Sequence, residues 1–435
     1  MKGGYHLQIH VVESGDTLFS IANLYRSSIF AITEANELDT PNLVVGQSLV
    51  IPIVGQYYFV QPGDSLYTIA QQFNMTYEEL ARINNIPINM TFPVGLRLYI
   101  PPRPKGNITS LGYAEPIGGS VSTTLENAVM AAAPLLTYLA PFSYRVNRDG
   151  TLSPPPLNNF KQIAMNNRTN ISLVITNLEG ATFNSDLAHI ILTVTAVQNK
   201  LIDNVINTAT TEGFQEVHVD FEFIFPEDRD AYNDFLRALK ARTEQAGLLL
   251  STALAPKTSS TQQGLLYEAH DYAAHGEIAD FVVIMTYEWG YSAGPPLPVS
   301  PINEVTRVLQ YAVTEISPNK ILMGQNLYGY DWTLPFVQGE SFARAVSPQQ
   351  AIRIAREHGV AIQYDEIAQA PSFHYFDTEG QEHVVWFEDA RSIQAKFNLI
   401  KQMGLLGIAY WKLGLAFPQN WLLLADNFHV TKRET

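Results

Sequence analysis

Eight short, apolar, β-rich runs follow one another along the chain beyond residue 106, each separated from the next by a helix-like segment. They are Ile108–Ala114, Leu135–Ala140, Ile171–Leu178, Val217–Phe223, Leu248–Ala255, Asp280–Tyr287, Lys320–Leu327 and Leu405–Trp411. Strands alternating with helices predict an α/β fold of parallel strands joined by helical crossovers, and eight such units predict a closed (β/α)₈ TIM barrel. An open doubly wound sheet calls for fewer strands and a glycine-rich first turn, and Gly118-Gly119-Ser120 lacks that spacing. The long gap between the seventh and eighth runs holds Ile362–Tyr364, Ser372–Phe376 and His383–Trp386. These read as short strands of a small α+β insertion at about 333–389, walling one side of a cleft.

Within this frame the fourth run carries the chemistry. From Glu216 to Phe223, Val217, Val219, Phe221 and Phe223 alternate with His218, Asp220 and Glu222, a strand period of two. Helix-like segments from Leu187 to Thr210 and from Asp228 to Ala246 flank it, so the strand is covered and its carboxyls face a protein interior. Two interior carboxyls at strand spacing, roughly 6.6–7 Å apart, are costly unless a lysine or arginine neutralises them or a reaction uses them. Barrel enzymes gather chemistry at the C-terminal ends of their strands. Asn177 and Glu179 end the third run here, Asp220 and Glu222 the fourth, and Tyr287, Glu288 and Trp289 the sixth. Gln325, Asn326 and Tyr328 end the seventh, and Tyr410 and Trp411 the eighth. Carboxyls with aromatics suit a sugar, whose C–H faces stack on rings while an acid protonates the glycosidic oxygen. Singly, Tyr287 and Trp411 also read as barrel core, and Asp331-Trp332 reads equally as cleft wall or turn. The acidic run Pro226–Asp230 reads as a helix start, where negative charge meets the helix dipole.

The first hundred or so residues repeat. Val11-Val-Glu-Ser-Gly-Asp-Thr-Leu-Phe-Ser-Ile-Ala22 matches Phe59-Val-Gln-Pro-Gly-Asp-Ser-Leu-Tyr-Thr-Ile-Ala70, Asn36 matches Asn84, and both copies end in Ile-Pro. Each unit reads strand, Gly-Asp turn, two helices, strand, over 8–53 and 56–101, with Asp16 and Asp64 expected as helix N-caps. A stiff linker at 102–106 precedes the barrel at 107–435.

Composition narrows the partners. A net charge of −15 argues against nucleic acid and anionic membranes. The absence of cysteine excludes disulfides and thiolate metal sites, and the ten histidines lack metal-site spacing, so no metal or other cofactor is expected. The first residues lack the apolar core of a signal peptide, and no run approaches the roughly 20 residues of a membrane span. Synthesis in the cytoplasm is expected.

The repeated (S/P)-G-D-(T/S)-L-x-x-I-A motif resembles LysM domains. That resemblance implies binding of N-acetylglucosamine polymers through Gly15, Asp16, Thr17, Leu18 and the Pro41-Asn42-Leu43 region, and through Gly63, Asp64, Ser65, Leu66 and the Ile86-Pro87-Ile88 region. Val219-Asp-Phe-Glu222, Met285-Thr-Tyr-Glu-Trp289 and Ala409-Tyr-Trp411 resemble glycoside hydrolase family 18, over all of 107–435. With the paired LysM repeats, they look particularly like its spore-germination branch, N-acetylglucosaminidases acting on cortical peptidoglycan fragments. The resemblance implies Glu222 as proton donor, Asp220 steering the substrate's acetamide, Tyr287 bonding that group and Trp411 flooring the sugar site. Glu288, Asn177, Gln325, Tyr328 and Trp289 become candidate substrate contacts. Two earlier aspartates of the family motif are replaced by Gln215 and His218, and His218 is expected beneath the acids, donating to Asp220. The resemblance also implies a place at the spore coat or cortex boundary. A chitinase, or a wall-binding protein with an inactive barrel, are the competing readings.

Overall fold

All eight runs form strands that close on one another. The computed structural model describes residues 7–53, 55–88, 92–102 and 104–433, so Arg103 of the expected linker and the last two residues lie outside it. The barrel strands are Gly106–Ala114, Tyr138–Pro141, Asn170–Thr176, Glu216–Asp220, Leu249–Leu254, Phe281–Ile284, Ile321–Asn326 and Gly407–Trp411. Each pairs in parallel with the next, and the eighth pairs with the first. Leu111, Tyr113, Val174, Val283, Leu322 and Ala409 pack together in the barrel core. His218 lies in register with Val174, so it shares that interior face, and Asp220 follows two residues on.

The fourth strand stops at Asp220, earlier than its alternation suggests. The chain then leaves the ladder, and Phe223 takes φ +54°. Glu222 therefore stands on a turn beyond the strand rather than at strand spacing from Asp220. The segment from Leu187 to Thr210 divides into Ser185–Thr193 and Thr195–Glu212, because Val194 adopts extended angles between them. The acidic run forms a 3₁₀ turn, Pro226–Asp228, before the helix Arg229–Gln245. The buried Asp228 carboxylate caps no helix amide and instead bonds His189 at 2.8 Å.

The insertion is larger than its three expected strands. It is a five-stranded antiparallel sheet that adds Gly329–Thr333 and Arg344–Val346, together with a helix at Pro348–Glu357. It therefore starts near Gly329, where a Cβ would meet the Trp386 carbonyl at 2.2 Å, so only glycine permits the pairing. Asp331 interrupts the apolar pattern of that strand. Its buried carboxylate bonds Arg344, Tyr375 and His383 at 2.9–3.0 Å, and Trp332 is buried beside it, so neither is a cleft wall.

The two N-terminal repeats each pair two antiparallel strands around two helices. Gln8–Val11 and Ser48–Ile51 enclose Leu18–Tyr25 and Ile29–Ala35, and Gln56–Phe59 and Arg97–Ile100 enclose Leu66–Gln72 and Tyr77–Asn84. The repeated asparagines are staples: Asn36 exchanges bonds with Val50, and Asn84 with Tyr99, at 2.6–2.9 Å. The N-caps are Thr17 and Ser65, not the preceding aspartates. Asp16 and Asp64 close the turn before the helix instead, accepting from the amides of Glu13 and Gln61 at 2.8 and 2.7 Å. By contacts the chain divides into two units. One runs to Gly106 and takes in Pro418–His429; the other comprises Asn107–Phe417 and the chain from Val430.

Candidate active site

The C-terminal ends of the barrel strands open into a cavity of about 540 Å³. Asp220, Glu222, Tyr287, Glu288 and Trp411 all line it, so five of the residues singled out from sequence meet at one place. Asn177 explains why Glu222 arrives there without a strand to hold it. The buried amide of Asn177 accepts from the Glu222 N–H at 3.0 Å and donates to the Glu222 carbonyl at 2.9 Å, standing in for the lost ladder bonds. Asn177 is thus a clamp on the backbone and is not among the residues that line the cavity.

Glu222 keeps an accessible face toward the cavity, yet the surrounding protein strips away most of its hydration. Burial raises its proton affinity well above the glutamate range, and the charge of Asp220 raises it further. Burial raises Asp220 as well. Asp220 lines the cavity, and one of its oxygens, Oδ1, is buried with no hydrogen-bond partner within the protein. Arginine or lysine neutralises neither acid in any ion pair among the described residues, which removes the structural ion-pair reading.

Beneath the acids lies a chain of buried polar groups. Tyr113, also at the cavity, bonds His218 Nε2 through its hydroxyl at 2.8 Å, and His218 Nδ1 meets Ser251 Oγ at 2.5 Å. Ser251 in turn donates to the buried Glu216 carboxyl. Both His218 nitrogens are occupied, so His218 does not donate to Asp220 as the sequence led us to expect. Burial holds its imidazole neutral, with a pKa lowered to about 3, and raises Glu216 to about 7. Gln215, at the other replaced position, accepts from the Ile171 amide and staples neighbouring strands.

The aromatic wall is built by close packing. Trp411 meets Phe142 and Tyr113 edge-on, with ring centroids 4.9 and 5.5 Å away. Tyr287 fits because residue 324 is glycine, where a Cβ would come within 2.8 Å of its ring. Glu288, at φ +69°, is held by the hydroxyls of Tyr328 and Tyr330, and burial raises its proton affinity against those two bonds. Tyr328 is therefore a support for Glu288 and does not line the cavity. Gln325 is buried, bonded to Asn326, and Trp289 is half-buried; neither lines it. Sequence reasoning missed Tyr113, Phe142 and Arg145 as cavity residues. Tyr113 and Phe142 stand at or just past the ends of the first two strands, so the rule that found the others covers them too.

In the second N-terminal repeat a shallow depression of about 550 Å³ is lined by Asp64, Ser65, Leu66, Tyr67, Tyr77 and Ile88, among others. It includes part of the Gly-Asp turn and of the loop after the second helix. Phe19, the counterpart of Tyr67, is likewise exposed in the first repeat. Among the described residues no group of three or more histidines or acids is arranged to hold a metal ion, and no helix is long and apolar enough to cross a membrane.

Comparison with known proteins identifies the two kinds of domain. The model of glycosyl hydrolases family 18 matches residues 111–416, and the LysM model matches residues 10–52 and 58–101. The chain is 56% identical to a cortical fragment-lytic enzyme of Bacillus subtilis over 98% of its length and 99% of that protein. It is 49% identical to one from Bacillus anthracis over 98% of the chain and 100% of that protein. The crystal structure of a Bacillus megaterium spore cortex-lytic enzyme superposes with a TM-score of 0.91 at 50% identity, covering 99% of this chain and all of that one.

Proposed function

The chain belongs to glycosyl hydrolases family 18 and carries two LysM domains, and from that premise we propose how this glycosidase cuts peptidoglycan of the spore cortex during germination. It cleaves the β-1,4 bond that follows N-acetylglucosamine, with the LysM pair adding avidity on the polymer. The observation that carries the reading is the pair of acids, Asp220 and Glu222, lining one cavity beside the aromatic rings of Tyr287 and Trp411. Similarity to cortical fragment-lytic enzymes over nearly the whole chain supports the substrate.

Protonated Glu222 gives its proton to the glycosidic oxygen as the bond to the anomeric carbon breaks. The substrate's own acetamide oxygen attacks that carbon, forming an oxazolinium ion, so the protein supplies no nucleophile. Asp220, which lines the cavity, accepts from the acetamide N–H and balances the developing positive charge. Tyr287 bonds the acetamide and Trp411 floors the sugar. Glu222, now a carboxylate, takes a proton from the water that opens the ring, and configuration is retained. Tyr113, fixed by His218, is a positioning residue at the side of the cavity. The site of action is the coat–cortex boundary.

Product analysis tests the reading. Purified protein should release fragments with reducing-end N-acetylglucosamine from defined cortex muropeptides, and should act more slowly on chitin oligomers of equal length. Faster cleavage of chitin with intact muropeptides would favour a chitinase instead.

A further inference from the structure

The cavity has a polarity that the reaction does not use. Four carboxyls line it, those of Glu115, Asp220, Glu222 and Glu288, and Arg145 is the one cationic side chain among the described lining residues. Glu115 is already paired with Lys412. The nearby Glu179 is taken by a two-pronged bond from Arg148, at 2.8 Å for each contact, and by Asn184. Arg145 is left exposed with no carboxylate partner among the described residues. Its Nη1 donates to the Gly180 carbonyl at 2.6 Å, which anchors the guanidinium on a turn that also lines the cavity. A guanidinium carries five N–H donors in a rigid fork, so one such bond orients it and leaves donors for a planar anion.

Strand register places it. Arg145 pairs with Thr176, and Thr176 with Asp220, so all three lie at one height across neighbouring strands. At about 4.8 Å per strand the Arg145 backbone stands about 10 Å from that of Asp220, far enough to leave a sugar ring between them. A chitin chain is neutral and has nothing for such a group to hold. A muramyl residue differs from N-acetylglucosamine by a lactyl ether whose carboxyl is free or carries a peptide. A protein of net charge −15 disfavours that anion unless a cation receives it.

We infer that Arg145 is a specificity residue, receiving the carboxylate of a muramyl unit next to the N-acetylglucosamine being cleaved. The inference rests on the peptidoglycan reading above. It makes the site discriminate by charge at a point removed from the bond that breaks, so it acts on substrate binding rather than on proton transfer.

The test compares Arg145→Ala and Arg145→Lys with the wild type on three soluble substrates of equal length. These are fragments with a free lactyl carboxylate, fragments whose lactyl group carries a peptide, and chito-oligosaccharides. On carboxylated fragments Arg145→Ala should lower kcat/KM by about tenfold to a hundredfold, the range for one charge-assisted hydrogen bond, mainly through KM. Arg145→Lys should recover part of the loss, and chito-oligosaccharide cleavage should be unchanged. A loss confined to the first fragment supports the inference, and one confined to the second overturns it, because a lactyl carboxyl that carries a peptide is an amide and no longer an anion. Equal loss on the neutral oligomer would overturn the inference, since Arg145 would then only brace the Gly180 turn. A wild-type preference for carboxylated fragments that survives Arg145→Ala overturns it alone. Wild-type protein that cuts chito-oligosaccharides and leaves both fragments intact overturns the peptidoglycan reading and this assignment together.

Discussion

Glu222→Gln is expected to lower kcat on cortex fragments by about 10²- to 10⁴-fold, the span contributed by a positioned proton donor. Glutamine preserves the shape of the side chain and its backbone clamp by Asn177, but it has no proton of suitable acidity to give. Folding and polymer binding should survive, because the LysM repeats have their own cores. Circular dichroism and pelleting with insoluble peptidoglycan check both. The loss should shrink on an aryl glycoside whose leaving group departs without protonation. An equal loss on both substrates would mean that Glu222 shapes the cavity rather than donating the proton.

Asp220→Asn should cost about 10²-fold or more in kcat, the scale of one preorganised electrostatic contact to a developing charge. It also makes a pH prediction whose sign follows from the geometry. The alkaline limb of kcat/KM marks the loss of the proton from Glu222, because only the protonated form can donate. Burial raises that proton affinity first, and the Asp220 charge adds to it. Removing the charge lets Glu222 ionise more easily, so the alkaline limb should move to lower pH in the variant. A limb that stays in place, measured on soluble fragments, would show that the two acids do not share their titration.

The barrel was legible because its strands are covered on both sides, so each announces itself as an apolar run of the right length. The acids were legible because polar residues in such runs are conspicuous. What the periodicity could not convey was where hydrogen bonding ends. Glu222 continues the alternation of the fourth run, yet the ladder stops at Asp220 and a side chain 45 positions away takes over its backbone. Asn177, Gln325 and Tyr328 stand at strand ends as cleft residues do, but each turns to brace the protein. The strand Gly329–Thr333 was hidden for a related reason: Asp331 breaks its apolar pattern and is satisfied by partners distant in sequence. Arg145 was missed because a lone exposed arginine has no signature until the cavity beside it is seen.

Burial and the Asp220 charge raise the proton affinity of Glu222, so its carboxyl should keep its proton where an ordinary glutamate would have lost it. Infrared difference spectroscopy of the free enzyme at neutral pH tests this directly, by comparing wild type with Glu222→Gln. The wild type should show the carbonyl stretch of a protonated carboxylic acid, and the variant should lack it. A spectrum in which the substitution removes only carboxylate bands would contradict it.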